Sequence, residues 1–355
     1  MVSFLKKIII RVNAGKKFGL GHLSRCLCLT EELNISYDIS FIIKSDDSSK
    51  VNDFIHTIFT KEDNVEISYI DINTSIDQEV LIIIDQVKSK DAFLIIDHYD
   101  VSEEYQKMLF ENNIKWLQFD SHALMSFYSS FVLHGSPDAT LDKYLPLLIN
   151  KDCNLLLGTD YSIVSSKFRA NKKMTYEQEP IKRILICFGG GNDNGATFKC
   201  LSLINLIKFQ EINFHVIISD LNVNKNEILN IASINTNVTI SINESKVYEE
   251  MNKSDLAIIS PGTLSYEAAC IGLPMLLISI ADNQMINASG WVRINAAKYL
   301  GSIEQLDDKV LNKQLEIINE NIRLRTDMYL NCKDAVDGNG TSRIKNKIDQ
   351  FLNKL

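Results

Sequence analysis

Short apolar runs that alternate with longer amphipathic stretches constrain this chain more than any other feature. KIIIRV (7–12), ISFIIK (39–44), FLIIDH (93–98), KWLQFD (115–120), SFVLHG (130–135) and NLLLGT (154–159) are rich in Ile, Leu and Phe and mostly end in polar or glycine residues. Their length and composition read as strands buried on both faces. Between them, 24–33, 78–88 and 102–112 carry helical patterning. Such alternation calls for a parallel sheet covered by helices on both sides. The pattern breaks at SSKFRANKKMTYEQEP (165–180), which is polar, charged and closed by a proline, and so reads as a linker. It then restarts, with strands expected at 182–188, 214–219, 238–242, 256–260 and 274–280. Helices are expected over 196–209 and 225–232, and a helical tail from Asp307. A single core rarely grows past about 250–300 residues, and the chain has 355. The expectation is therefore an α/β protein of two Rossmann-like domains, 1–165 and 182–355, joined by a linker at 166–181. The C-terminal helices are free to pack back on the first domain.

Charge narrows the functional classes. The formal net charge is −8, which argues against general nucleic-acid binding but leaves room for a local phosphate pocket. Seven cysteines are present without any CxxC pair, and the Cys26–Cys28 spacing does not suit a zinc knuckle. Buried, reduced thiols are expected. The N-terminal MVSFLKKIII is interrupted by Arg11 and Asn13, so it does not read as a secretory leader. No run approaches the ~18 apolar residues of a membrane span. A cytoplasmic protein without membrane insertion is expected.

Ligands of open α/β sheets sit beyond the carboxyl ends of the strands, and three loops stand there. FGLGHLSRCLCL (18–29) places Gly19 and Gly21 between the first strand and a helix that starts near His22. Glycines there permit positive φ and close approach of a ligand, and the helix N-terminus suits an anion. His22 reads either as a capping or packing residue or as a general base. In CFGGGNDNGAT (187–197), Gly189, Gly190 and Gly191 form either a tight turn or a backbone cradle for a diphosphate. In the third loop, Pro261 and Gly262 turn the chain into a helix that Thr263 or Ser265 can cap. Glu267 on that helix is either a dipole-compensating charge or an acceptor for a vicinal diol such as ribose. Asn283 and Gln284 supply amides after the next strand. A Walker lysine and the third glycine of a dinucleotide fingerprint are both missing.

Taken in order, FGLGHLSRCLCL, IIDHYD (95–100), LLLGTDYSIVSSKFR (155–169), FGGGNDNGAT and PGTLSYEAACIGLP followed by NQ resemble one family. It is the UDP-2,4-diacetamido-2,4,6-trideoxy-β-L-altropyranose hydrolases of the pseudaminic acid pathway, with relatives among spore-coat polysaccharide proteins. The resemblance implies a fold similar to GT-B glycosyltransferases. The second domain would hold the uridine diphosphate and the first the sugar. The implied reaction is metal-independent, inverting hydrolysis of a UDP-activated 2,4-diacetamido-2,4,6-trideoxyhexose, with no cofactor. UDP and a free sugar would be released, the sugar serving nonulosonic acid synthesis for flagellin or surface glycans. By the same resemblance His22 is the catalytic base, Tyr99 lies near the sugar, and Arg25 steers phosphate or braces its loop. Glu267 holds the ribose, and Asn283 matches the family's second-domain asparagine. Where relatives read Arg-x-Asp-Ala, this chain reads Arg11-Val12-Asn13-Ala14, so Asn13 meets the sugar without a charge. The alternatives are a GT-B glycosyltransferase that delivers the sugar to an acceptor hydroxyl, and a non-catalytic sugar-nucleotide binder. No apolar patch for a lipid acceptor is evident in the first domain's sequence.

Overall fold

The computed structural model describes residues 6–56, 58–59, 65–173, 180–189 and 193–354. In chain order the first elements are β1 (Lys6–Asn13), α1 (Gly21–Leu33), β2 (Tyr37–Ser45), α2 (Ser48–His56), β3 (Val65–Asp71), α3 (Ile76–Lys90), β4 (Ala92–Asp97), α4 (Glu103–Glu111), β5 (Trp116–Phe119), β6 (Phe131–His134), α5 (Leu141–Tyr144) and β7 (Asn154–Leu157). There follow α6 (Ser166–Ala170), β8 (Arg183–Cys187), α7 (Ala196–Leu203), β9 (Asn213–Ile218), α8 (Lys225–Ile234), β10 (Val238–Ile242), α9 (Val247–Lys253), β11 (Leu256–Ile259), α10 (Thr263–Ile271), β12 (Met275–Ser279), α11 (Met285–Arg293), β13 (Ala297–Ser302), α12 (Asp308–Glu320), α13 (Ile322–Ala335) and α14 (Gly340–Leu352). They form two compact units, 1–163 with 340–355, and 164–339.

Each unit is built on one parallel sheet. The first has the strand order β3-β2-β1-β4-β5-β6-β7, the second β10-β9-β8-β11-β12-β13. Every pairing is parallel. In both sheets the winding direction reverses beside the first strand, between β1 and β4 and between β8 and β11. A crevice opens at such a reversal, beyond the carboxyl ends of the strands. The loops after β1, β4, β8 and β11 are therefore the places for chemistry. Among the described residues no helix is long and apolar enough to cross a membrane.

The pleat of the first sheet decides which side chains reach which face. Ile8, Ile10 and Val12 of β1 pack with Phe93 and Ile95 of β4 against Leu23, Cys26 and Leu27 of α1. Ile9 packs with Leu94 and Ile96 against Val80, Ile83 and Ile84 of α3. Alternation then carries Asp97 to the α1 face and Arg11 and His98 to the α3 face. Arg11 and Glu79 are buried and paired, with Arg11 Nε donating to Glu79 Oε1 at 2.9 Å. Lys44 Nζ donates to Glu79 Oε2 at 3.1 Å and to the Thr74 carbonyl at 2.9 Å. One carboxylate thus answers two buried cations, tying β1 and β2 to α3.

Several expectations are corrected. Residues 166–173 do not form a linker: Phe168 of α6 is buried in the second unit's core, and Lys173 N–H donates to the Ile271 carbonyl. The second domain does not extend to residue 355. Helix α14 is amphipathic, and its Ile344 and Ile348 complete the first unit's core. Ser342 Oγ also donates to Glu32 of α1 at 2.9 Å. The helix expected over 196–209 stops at Leu203. Asn312 of α12 interrupts it by donating to the Leu203 carbonyl and accepting from Asn205 N–H, both at 2.8 Å. Strands β3 and β13 escape the apolar-run criterion because they are edge strands of mixed exposure. Cys26, Cys187, Cys200, Cys270 and Cys332 are buried thiols, and Cys28 and Cys153 are partly exposed.

The buried Glu79 pairing yields a stability prediction. Glu79→Ala leaves Arg11 and Lys44 without their anion, a loss on the order of 3–5 kcal/mol. Urea unfolding at neutral pH should show a clearly lower midpoint; a midpoint equal to wild type would contradict the assignment.

Candidate active site

Helix α1 starts in the turn after β1. Leu20 precedes it, no side chain caps it, and no acidic residue lies in its first turn. Gly19 stands at φ +73°, a conformation that favours glycine. A side-chain carbon built on Gly19 or Gly21 would meet nothing within 4 Å. The space in front of this turn is open.

His22 and Arg25 lie three residues apart on α1, so they share a face. Both point at Asp97, which β4 delivers to that face. His22 Nδ1 lies 2.6 Å from Asp97 Oδ1. Arg25 Nε donates to Asp97 Oδ2 at 2.5 Å, and Arg25 Nη2 donates to Oδ1. Asp97 is 1% exposed, His22 13% and Arg25 26%, so the carboxylate is sealed beneath an imidazole that reaches solvent. The Arg25 guanidinium also lies over the Phe119 ring, 4.8 Å from its centroid.

The protonation pattern follows from this geometry. Burial alone would raise the Asp97 pKa. The Arg25 guanidinium, with His22, overcomes that and holds the carboxyl well below its usual range. An ionised carboxylate only accepts hydrogen bonds. Arg25 Nη2, 3.1 Å from His22 Nδ1, already donates to Asp97 Oδ1; at 2.6 Å from that same accepting oxygen, His22 Nδ1 is placed to carry the proton and donate it to Asp97. The neutral ring then has a bare Nε2, which is the form a general base needs.

Tyr99 stands 61% exposed, its ring edge-on to His22 with centroids 4.6 Å apart. Asn13 is buried, and its Nδ2 donates to Asp100 at 2.9 Å. The uncharged position 13 does not orient His22; Asp97 does. His98, between Asp97 and Tyr99, turns to the opposite face. Burial and then the Arg11 charge hold its pKa well below the ordinary value, so it is no rival base. In the first unit the structure thus brings His22, Arg25 and Tyr99 together and sets Asn13 at the end of β1. Asp97 is the residue the sequence reading missed. Its signal was present: an acid ends an otherwise apolar strand, on the pleat face of Phe93 and Ile95.

In the second unit, Gly189 follows β8 at φ +114°. Gly190 and Gly191 lie outside the described residues. Helix α7 beyond them is already closed: Asp193 accepts from Gly195 N–H at 3.1 Å and Thr197 N–H at 3.0 Å. Its N-terminus therefore offers less to a phosphate than the glycine run suggested. Helix α10 differs. Gly262 precedes it, no side chain caps it and no acid lies in its first turn. Ser265 Oγ, expected as a cap acceptor, donates instead to the Gly262 carbonyl at 2.7 Å, and Thr263 is exposed. Gln284 Oε1 accepts from Ile280 N–H at 2.9 Å, and its Nε2 lies 3.8 Å from the position a Gly262 side-chain carbon would take. Asn287, which the sequence reading did not single out, accepts from Tyr266 Oη at 2.9 Å and donates to the Pro261 carbonyl at 2.5 Å. Asn283 is exposed beside them. Glu267 stands in the second turn of α10, partly buried, without a hydrogen bond or ion pair among the described residues. Desolvation pushes its carboxyl up to about 8. An open helix N-terminus, adjacent amides and an unpartnered carboxyl suit a ligand that carries both an anion and hydroxyl donors.

The fold has counterparts among solved structures. MurG of Acinetobacter baumannii superposes with a TM-score of 0.67 at 16% identity, over 97% of this chain and 99% of its own. A UDP-GlcNAc 2-epimerase from Neisseria meningitidis, solved with UDP-GlcNAc, gives 0.62 at 15% identity over 97% and 100%. The protein has the two-domain α/β fold of GT-B glycosyltransferases and related epimerases. No protein-family profile matches the chain. Among curated sequences, the spore coat polysaccharide biosynthesis protein SpsG of Bacillus subtilis is 22% identical over 94% of this chain and 95% of its own. The UDP-2,4-diacetamido-2,4,6-trideoxy-β-L-altropyranose hydrolase of Campylobacter jejuni is also 22% identical, over 80% and 95%. Both likenesses run over most of this chain and nearly the whole length of each relative.

Glu267 generates a prediction whose sign is fixed by its raised value. Below pH 4.5 the group is protonated whether the chain is folded or not. Between 4.5 and about 8 the unfolded chain ionises while the folded protein keeps its proton. Stability is therefore lost as the pH rises through that window. Glu267→Gln should match wild type in thermal unfolding at pH 4.5 and exceed it at pH 8.5. A variant less stable than wild type at pH 8.5 would contradict a desolvated, unpartnered carboxyl.

Proposed function

We propose that the protein is a nucleotide-sugar hydrolase that cleaves the anomeric C–O bond of a UDP-activated 2,4-diacetamido-2,4,6-trideoxyhexose. The observation that carries this reading is the His22–Asp97 contact of 2.6 Å, which presents a bare imidazole nitrogen at an open strand end. His22 Nε2 takes a proton from water as the water oxygen bonds to C1. The C1–O bond to the β-phosphate breaks on the opposite side, and its electron pair leaves with UDP. The sugar is released with inversion, as the free hemiacetal. A diphosphate already leaves well, so the enzyme's task is to place and activate water and to neutralise departing charge. Arg25 acts by locking Asp97, and Tyr99 offers an aromatic wall beside the base.

The second unit supplies the nucleotide grip in this reading. Backbone at Gly189, Gly190, Gly191, Gly262 and Thr263 meets the diphosphate, with the open start of α10 giving the larger share. Glu267 takes the ribose diol, and Asn283 and Gln284 add amide contacts. Gly19 and Gly21 let the sugar approach α1, and Asn13 braces the loop that carries Tyr99 through Asp100. The Campylobacter relative's stated substrate and the UDP-GlcNAc bound to the Neisseria epimerase support this choice of ligand. The chemistry calls on no metal or cofactor, the partner is the UDP-sugar, and the site of action is cytoplasmic synthesis of a surface sugar.

One observation favours a second reading, transfer to an acceptor. Leu124, Leu141, Leu145 and Ile149 of the first unit stand 80, 57, 53 and 49% exposed. The sequence did not single out these exposed apolar groups, and a hydrophobic acceptor could use them.

The decisive experiment is turnover of the UDP-sugar in H₂¹⁸O with EDTA present. The expected result is label in the free sugar and none in UDP. His22→Ala should be slower by about 10²–10⁴-fold, the usual contribution of a general base. Label in UDP would place the attack at phosphorus and overturn the mechanism. Turnover only on addition of an acceptor alcohol would establish the transferase. UDP-sugar binding without turnover under either condition would identify a non-catalytic binder.

A further inference from the structure

The carboxyl end of β5, next to the site, holds a histidine that the mechanism leaves unused. Asp120 follows β5 and organises a tight loop. Its Oδ2 accepts from His122 N–H at 3.0 Å and from Ala123 N–H at 2.8 Å. The same oxygen accepts from Tyr144 Oη at 2.5 Å, and Tyr144 Oη in turn lies 2.6 Å from His134 Nδ1 at the end of β6. Ala123 sits at φ +53°, a left-handed conformation that is unfavourable for a residue with a side chain and persists only where its surroundings impose it. The loop is therefore held against a local preference, and the side chain it presents is His122.

That imidazole is half-buried and makes no hydrogen bond or ion pair among the described residues. It faces Tyr99, ring centroids 6.1 Å apart, while the other neighbour of Tyr99 is the base His22 at 4.6 Å. Tyr99, after β4, thus lies against the rings of both His22, in the first turn of α1, and His122, in the loop after β5. A pyranose has one apolar face for an aromatic ring and polar substituents around its rim. We propose that His122 is a specificity-determining residue that hydrogen-bonds a polar ring substituent of the bound hexose next to Tyr99. An imidazole with no protein partner can both donate and accept, which suits an acetamido group or a hydroxyl. This inference rests on the sugar-nucleotide reading above and assigns His122 to sugar recognition, not to nucleotide binding or proton transfer.

The test compares binding of UDP with binding of a UDP-2-acetamido sugar by calorimetry, in the His22→Ala background to prevent turnover. His122→Ala and His122→Asn are added to that background. The expected result is an unchanged UDP affinity and a loss of about tenfold in the advantage of the sugar nucleotide over UDP for the alanine variant, the size of one lost hydrogen bond. Asparagine, which keeps a donor and an acceptor, should recover part of it. In otherwise wild-type enzyme, His122→Ala should raise KM with kcat nearly kept. An unchanged sugar advantage would overturn the assignment while leaving the hydrolase reading intact. A parallel loss of UDP affinity would show that His122 acts through the fold and would also overturn it. A parent protein that binds neither ligand would instead overturn the sugar-nucleotide reading, and the proposal with it.

Discussion

A carboxylate buried between a guanidinium and an imidazole is the interaction on which the candidate site depends. Taking Asp97 out of water costs several kcal/mol unless its lone pairs are answered. Arg25 answers with two donors, and His22 takes part of what remains. Buried ion pairs of this sort add little net stability over an apolar replacement. What the arrangement supplies is orientation: it fixes which imidazole nitrogen carries the proton and which faces outward. The parallel sheet makes this possible. Asp97 ends β4, whose neighbour β1 leads into the turn that starts α1, so the acid and the base meet where the winding reverses.

The same logic, with different chemistry, runs through the second unit. Its two strand-end helices look alike in the sequence, each preceded by glycine. They differ in how their first turns are satisfied. Asp193 closes α7 from within its own loop, whereas α10 begins uncapped with amide side chains close by. An uncapped helix start carries fixed partial positive charge at no reorganisation cost. Nearby Glu267 is kept desolvated and unpaired, at some expense in stability that a hydroxyl-bearing ligand would relieve. In the proposed reading the first unit is thereby prepared for proton transfer and the second for an anion with a diol.

Much of this was legible in the chain. Apolar runs buried on both faces are distinctive, so the central strands β1, β4, β8, β11 and β12 and the loops after them could be placed. His22, Gly19 and Glu267 stood out because glycine and ionisable groups at strand ends need a reason. The rest depends on contacts distant in sequence. Asp97 looks like the polar end of a strand until β4 is set beside β1. The end of α7 at Leu203 is decided by Asn312, more than a hundred residues on. Nor does local pattern reveal that α14 returns to the first unit, because an amphipathic helix does not name the core it completes. His122 is silent for the same reason: its significance lies in a strained loop held by Asp120 and in its distance from Tyr99.

The central claim is that Asp97 forces His22 to carry its proton on Nδ1 and leaves Nε2 free. The most direct measurement is ¹⁵N NMR of the protein labelled on its six histidines, with the His22 resonances identified by their loss in His22→Gln. At pH 7.5 the account predicts a protonated Nδ1 and a bare Nε2 in wild type, and a mixture of the two tautomers in Asp97→Asn. A proton found on Nε2 in the wild-type protein, with Nδ1 bare, would contradict it.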